Sequence, residues 1–205
     1  VSAPRYLNYS PDSWKSVSLA PLSEKKTAEM HSPVQGPETA EKADVETDSR
    51  PPAPVVLTAF DAARPVLKDM SLTVLPEVGQ ALIAYYREHP NFVWVQDGKP
   101  AARVEEARRA LAEAGNYALN PQDYLVTLPA ASSLDAAERD AAMMRFEMEM
   151  SAAVLTYVLD AKRGRVDPNR ISQYHDLPRH KVDLVAALET LSTASDPAAV
   201  LERAQ

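Results

Sequence analysis

The stretch from Asp135 to Gly164 constrains this chain more than any other part of it. Asp135-Ala-Ala-Glu138 has the spacing of a capping box, in which the first side chain accepts an amide three residues on and Glu reaches back. No Pro or Gly follows until Gly164, so the spacing predicts one unbroken helix from Asp135 through Arg163. At 100° per residue, Met143, Phe146, Met150, Val154, Tyr157 and Ala161 share one face. Met144, Met148, Leu155 and Leu159 share another, about 130° away. A helix that is apolar on two faces has to be packed on two sides, which makes it the central helix of a domain. Arg145, Glu149, Thr156 and Asp160 fall on the remaining polar face.

Shorter elements flank it. Pro76 suits a first helical position, and Val78, Leu82, Tyr85 and Tyr86 follow at helical spacing until His89-Pro90 ends the run. Residues 92–95 form an aromatic and β-branched run closed by Asp97-Gly98, which predicts a short strand and turn. A second helix is expected from Ala101 to Ala114, with Gly115 as its stop. Asn116 to Val126 is a turn-rich connection carrying Asn120-Pro121, with Tyr124 as an anchor. Arg64-Pro65 disfavours helix at Arg64, so Asp61 to Leu75 is expected to be mostly loop, with room for a short helix. Beyond Pro178, Val182, Val185, Leu188 and Leu191 make one stripe, and Asp196-Pro197 launches a last helix. The expected fold is mostly α: a compact helical domain around one long central helix, with at most a short strand near 92–95, preceded by a disordered Pro-rich segment.

That segment stands apart in composition. Eight of the 17 prolines lie within the first 54 residues, beside a single glycine, Gly36. From Lys15 to Pro54 no run keeps a period of 2 or 3.6, so too little can be buried to offset the entropy of ordering it. Residues 1–58 are therefore assigned to a disordered linker and 59–205 to the domain. Tyr6, Leu7, Tyr9 and Trp14 make a small aromatic knot, either a loose end or a segment that docks on the folded part or on a partner. A helix launched ten residues before Gln205 implies truncation of the domain at its C-terminus. A start at Val1, with no basic and apolar leader, implies a processed chain.

The chemistry is narrowed mainly by what is missing. There is no cysteine, which excludes disulfides, zinc thiolates, iron-sulfur clusters and a thiol nucleophile. There is no H-E-x-x-H, no G-x-S-x-G and no Gly-rich phosphate loop. A net charge of −7 argues against nucleic acid and anionic lipid as partners. No window reaches the apolar length of a membrane span. No cofactor or metal is expected: His175, Asp176 and His180 straddle Pro178, and such loop residues are more often solvated than ligating.

Six residues stand out as interaction or structural anchors: Trp94, Tyr124, Glu147, Tyr157, Arg163 and Arg165. Glu147 projects between the two apolar faces of the long helix. It is either a buried acid with a raised pKa or, since unpaired charges are rarely buried, one that reaches an edge or an arginine. Met143, Met144, Met148 and Met150 are either core or a plastic binding surface. Arg163 and Arg165 sit where a helix dipole favours cations; they either cap the helix or hold a carboxylate of a neighbouring domain or an anionic ligand.

The order YYREHP, FVWV, RRALAEAGNYALNPQDYLVTLP, FEMEMSAAVLTYVLDAKRGRVDP and HDLPRHKVDLVAALETL resembles the helical scaffold domain of the large bacterial L,D-transpeptidases. The similarity runs from about Leu72 to Gln205, and LNPQDY, GRVDP and the placement of Tyr157 are its most specific pieces. Those enzymes cross-link peptidoglycan stems in the periplasm through a cysteine held in a separate β-rich domain. The resemblance thus implies a periplasmic, non-catalytic scaffold whose partner is the catalytic transpeptidase domain of the same parent protein, with peptidoglycan as a further candidate partner. No catalytic residue is assigned to these 205 residues. Two other readings are a free-standing helical interaction module and a hydrolase using Glu147, the latter lacking a second carboxylate at defined spacing.

Overall fold

The computed structural model describes residues 13–24, 58–130, 134–165 and 180–205. In chain order its elements are β1 (Lys15–Ser18), α1 (Ala59–Ala63), β2 (Ser71–Val74), α2 (Pro76–Glu88), β3 (Val95–Gln96), β4 (Lys99–Pro100), α3 (Arg103–Ala112), α4 (Ala136–Arg163), α5 (Leu184–Thr193) and α6 (Pro197–Glu202). Helix starts follow the side chains that can cap them. Thr58, Asp135, Asp183 and Asp196 each accept the amide of the residue three positions on. In the α4 cap Glu138 returns the bond to the Asp135 amide at 3.1 Å, completing the box.

Helix α4 is the axis of the domain. Its residues from Met143 to Asp160 are almost continuously buried, and α1, α2, α3, α5 and α6 all pack on it. All four of the clustered methionines are core, which settles them as packing rather than as a binding surface. The polar face is narrower than the sequence implied. Arg145 is exposed and pairs at 3.7 Å with the half-buried Glu149, whereas Thr156 and Asp160 are buried. Thr156 satisfies its hydroxyl on the Ala152 carbonyl at 2.7 Å; Asp160 has partners from another part of the chain, described below.

The linker expected over 1–58 does not begin at Lys15. Lys15–Ser18 pairs antiparallel with Ser71–Val74, and Leu19 and Leu22 are fully buried in the core. Val17 fits against α2 at Gly79, where an added Cβ would lie 2.8 Å from both valine methyls. Arg64, itself held by Asp61 at 2.7 Å, donates to the Leu22 carbonyl at 2.9 Å and pins the segment from the far side. A four-residue strand whose partner lies some fifty residues away leaves no periodic signal. In the stretch expected over Asp61–Leu75 to be mostly loop with room for a short helix, the end of α1 and a 3-10 turn (Arg64–Asp69) supply that helix, and β2 is the element not expected. The rest of the expected linker lies outside the described residues.

The strand expected at 92–95 is displaced to Val95–Gln96, pairing with Lys99–Pro100 across Asp97 and Gly98, both at positive φ as a tight hairpin requires. Val93 and Trp94 are kept out of it because Glu147 takes their amides. Helix α3 ends at Ala112 and tightens into a 3-10 turn (Glu113–Tyr117), with the left-handed residue at Ala118 rather than Gly115.

Candidate functional site

Two polar clusters sit on α4, one near its middle and one at its C-terminal end. In the first, Glu147 has no solvent exposure. Its Oε1 accepts from the Tyr86 hydroxyl at 2.6 Å and the Val93 amide at 2.7 Å, and its Oε2 from the Trp94 amide at 2.8 Å. Ser151, one turn further along α4, accepts the Trp94 indole N–H at 2.9 Å and lies 2.7 Å from the Tyr86 hydroxyl. With the Tyr86 proton committed to Glu147, the Ser151 hydroxyl is the donor of that last bond. Burial pushes the Glu147 carboxyl up to about 7, although the bonds from Tyr86, Val93, Trp94 and Val95 pull the other way. Burial and then the Glu147 charge raise the Tyr86 phenol, which therefore stays a donor.

Glu147 thus does not reach an edge and, among the described residues, forms no ion pair, although the rarity of buried charges favours one of those two outcomes. Arg103 of α3 feels its charge, yet the guanidinium lies over the Trp94 ring, 5.3 Å from its centroid. Arg103 donates to the carbonyls of Leu191, Ser192 and Ala194, closing the C-terminal end of α5. One line of contacts runs from α4 through Trp94 to α3 and α5.

The second cluster gathers Tyr124, Tyr157, Arg163 and Arg165. The Tyr124 hydroxyl donates to Asp160 at 2.6 Å, and its ring meets Tyr157 edge to face with centroids 5.4 Å apart. The Tyr157 hydroxyl accepts from the side-chain amide of Gln205, close to the last residue of α6. Arg165 pairs with Asp123 at 2.6 Å and approaches Asp160 at 3.5 Å. Burial alone would lower the Arg165 pKa, but Asp160 and Asp123 outweigh it and hold the guanidinium charged. Arg163 reaches both Glu77 oxygens, at 2.6 and 2.8 Å, and so ties the end of α4 to the first turn of α2. These arginines hold carboxylates of their own domain.

All six anchors named from sequence are therefore in or against α4. The clusters lie 13 residues apart along it, about 20 Å. Tyr86, Ser151, Arg103 and Asp160 join these clusters without being singled out by the sequence. The signal for Ser151 was its spacing: a polar residue one turn after Glu147, set among apolar neighbours.

Chemically, Glu147 has both oxygens engaged by a phenol and backbone amides and shows none of its surface to a ligand. Among the described residues, no group of three or more His, Asp or Glu is placed to hold a metal. His175 and Asp176 lie outside those residues, and His180 is exposed on Lys181. A cleft of about 420 Å³ beside the end of α4 is lined by Tyr117, Leu119, Arg165 and Gln205 among others. A groove of about 220 Å³ runs between β2 and residues 123–126 over Ala152 and Ala153. No helix among the described residues is long and apolar enough to cross a membrane.

A long helix clad by shorter ones, with its buried charges spent on holding its own neighbours, defines a helical scaffold. The chain belongs to the Scaffold domain family, whose model matches residues 80–205. That span starts inside α2 and takes in α3 to α6, so both α4 clusters fall within it, while β1, α1 and β2 precede it. No curated protein and no solved structure matches the chain.

Proposed function

We propose that this chain is the non-catalytic scaffold region of a periplasmic L,D-transpeptidase, supporting a catalytic domain that cross-links peptidoglycan. The observation that carries the reading is the Scaffold-domain match over residues 80–205 in a chain without cysteine. The ordered motifs LNPQDY and GRVDP, which resemble that enzyme class, give it its direction. The internal pairing of the buried charges supports it too, because a scaffold needs rigid helices rather than a reaction centre.

The test is to express the complete reading frame that contains these residues and assay peptidoglycan cross-linking. The reading expects a Ser-x-Gly-Cys motif outside residues 1–205, turnover that depends on that cysteine, export to the periplasm, and no turnover by residues 1–205 alone. A complete polypeptide with no such motif and no cross-linking activity overturns it.

A further inference from the structure

β1 runs on into a 3-10 turn (Ala20–Leu22), and Trp14–Ser23 together make a strap across the domain. Its seat is built by β2, the 3-10 turn after α1, and α2. The Leu19 amide donates to the Met70 carbonyl at 2.9 Å, which makes Val17/Leu72 and Lys15/Val74 the hydrogen-bonded pairs of the ladder. Three side chains face the seat. Val17 meets α2 at Gly79, where the missing Cβ leaves the room its methyls occupy. Leu19 and Leu22, 0% and 1% exposed, are the anchors. Lys15, Ser16, Ser18 and Pro21 are exposed. Past the ladder, Arg64 reaches the carbonyls of Leu22 at 2.9 Å and Glu24 at 3.4 Å, its own charge held by Asp61. The seat thus reads Val-x-Leu-x-x-Leu in extended backbone that closes in one 3-10 turn. No other stretch of the chain has that pattern.

We propose that Trp14–Ser23 is a releasable strap: it leaves the domain as one unit while α4 and the helices on it stay folded, and the seat it vacates binds an extended Val-x-Leu-x-x-Leu segment, supplied here by the chain itself. A four-residue strand and a three-residue turn cannot hold themselves, so the strap takes its order from docking. Strap and seat also lie apart from the shared helical frame. Arg64, Met70, Leu72, Val74 and Gly79 all precede residue 80, where the family match begins. The bonds that join α4 to α2, and α3 to α5, run through Glu147, Arg163 and Arg103, and release of the strap leaves them in place. Because strap and seat belong to one chain, they meet within the molecule, and a free segment competes against a high local concentration. The seat opens to another segment only when the strap is out.

Amide exchange of the full chain tests the release, and a peptide tests the seat. Corrected for intrinsic rates, the Val17, Leu19, Leu72 and Val74 amides should exchange as one group, at least a hundredfold faster than the buried α4 amides. In the full chain carrying Leu19→Asp/Leu22→Asp, the Leu72 and Val74 amides should lose protection while α4 keeps it. A fluorescent peptide of residues 13–24 should then bind this variant one to one, at least tenfold tighter than it binds the parent chain. The same peptide with both Asp changes should not bind. Strap amides that exchange only together with α4 overturn the proposal, because the strap is then part of one cooperative core. So does loss of α4 protection in the Asp variant, a folded variant that takes up no peptide, or equal uptake by variant and parent. All of these outcomes are independent of transpeptidase activity.

Discussion

Glu147 and Trp94 are joined twice: the carboxylate accepts the Trp94 amide at 2.8 Å, and Ser151, one turn along the same helix, accepts its indole N–H at 2.9 Å. A helix surface thereby fixes both the backbone and the ring of a residue from outside it. The fixed ring in turn supports Arg103 over its face and, through Arg103, the end of α5. The scaffold character of the fold lies in such relays, where a polar group deep in the core sets the position of a neighbouring helix.

The Glu147 carboxyl makes stability depend on pH. Its folded pKa of about 7 stands above the ordinary 4.5, so between those values the folded chain binds a proton that the unfolded chain does not. Stability from this group is fully present below about pH 4.5 and is lost as pH rises to about 7, a change on the order of 3 kcal/mol. Glu147→Gln should cost about 1–3 kcal/mol through a misplaced amide donor, and it should flatten the slope. Urea unfolding of both proteins at pH 5, 6 and 7 reads this out. Parallel slopes would show that Glu147 keeps its charge throughout.

Tyr124 separates packing from hydrogen bonding. Tyr124→Phe keeps the edge-to-face contact with Tyr157 but removes the donor to buried Asp160, and should cost about 1–3 kcal/mol. Tyr124→Ala also opens a cavity and should cost about 3–5 kcal/mol. Thermal melts of the two variants give the comparison; equal losses would leave the hydroxyl no energetic role.

Much of this architecture is written locally. Helix α4, its capping box and the helices starting at Pro76 and after Asp196 follow from period and caps, because those features act within a few residues. A single-helix projection turns Asp160 to solvent because it gives only an angle, whereas its burial is decided by Tyr124 from a distant segment and by Arg165 folding back just past the helix end. Val17 and Leu19 carry no local signal for a related reason. Their partners, Leu72 and Met70, are distant in sequence, and only the folded chain brings them together.

The seating of β1 on α2 can be tested at Gly79. Alanine in a helix interior normally stabilises by up to about 1 kcal/mol relative to glycine. Here its Cβ would lie 2.8 Å from both Val17 methyls, so Gly79→Ala should destabilise instead. Val17→Ala should recover part of the loss in the double variant, giving a coupling of about 0.5–3 kcal/mol in a double-mutant cycle. If Gly79→Ala alone raises the melting temperature, Val17 is not held against that turn.

Arg163 and Arg165 both end in ion pairs, but their surroundings predict very different costs. The carboxylate that Arg163 holds is 55% exposed, so neutralising it with Glu77→Gln should change stability by less than about 1 kcal/mol. Arg165 is buried between Asp123 and Asp160, and Asp160 has no exposed side chain. Arg165→Met keeps most of the volume while leaving a buried carboxylate without its cation, which should cost about 3–5 kcal/mol. Chemical denaturation of both variants at pH 7 measures the difference. A stable Arg165→Met variant would instead place the work of Arg165 outside this domain, on a carboxylate supplied by a partner.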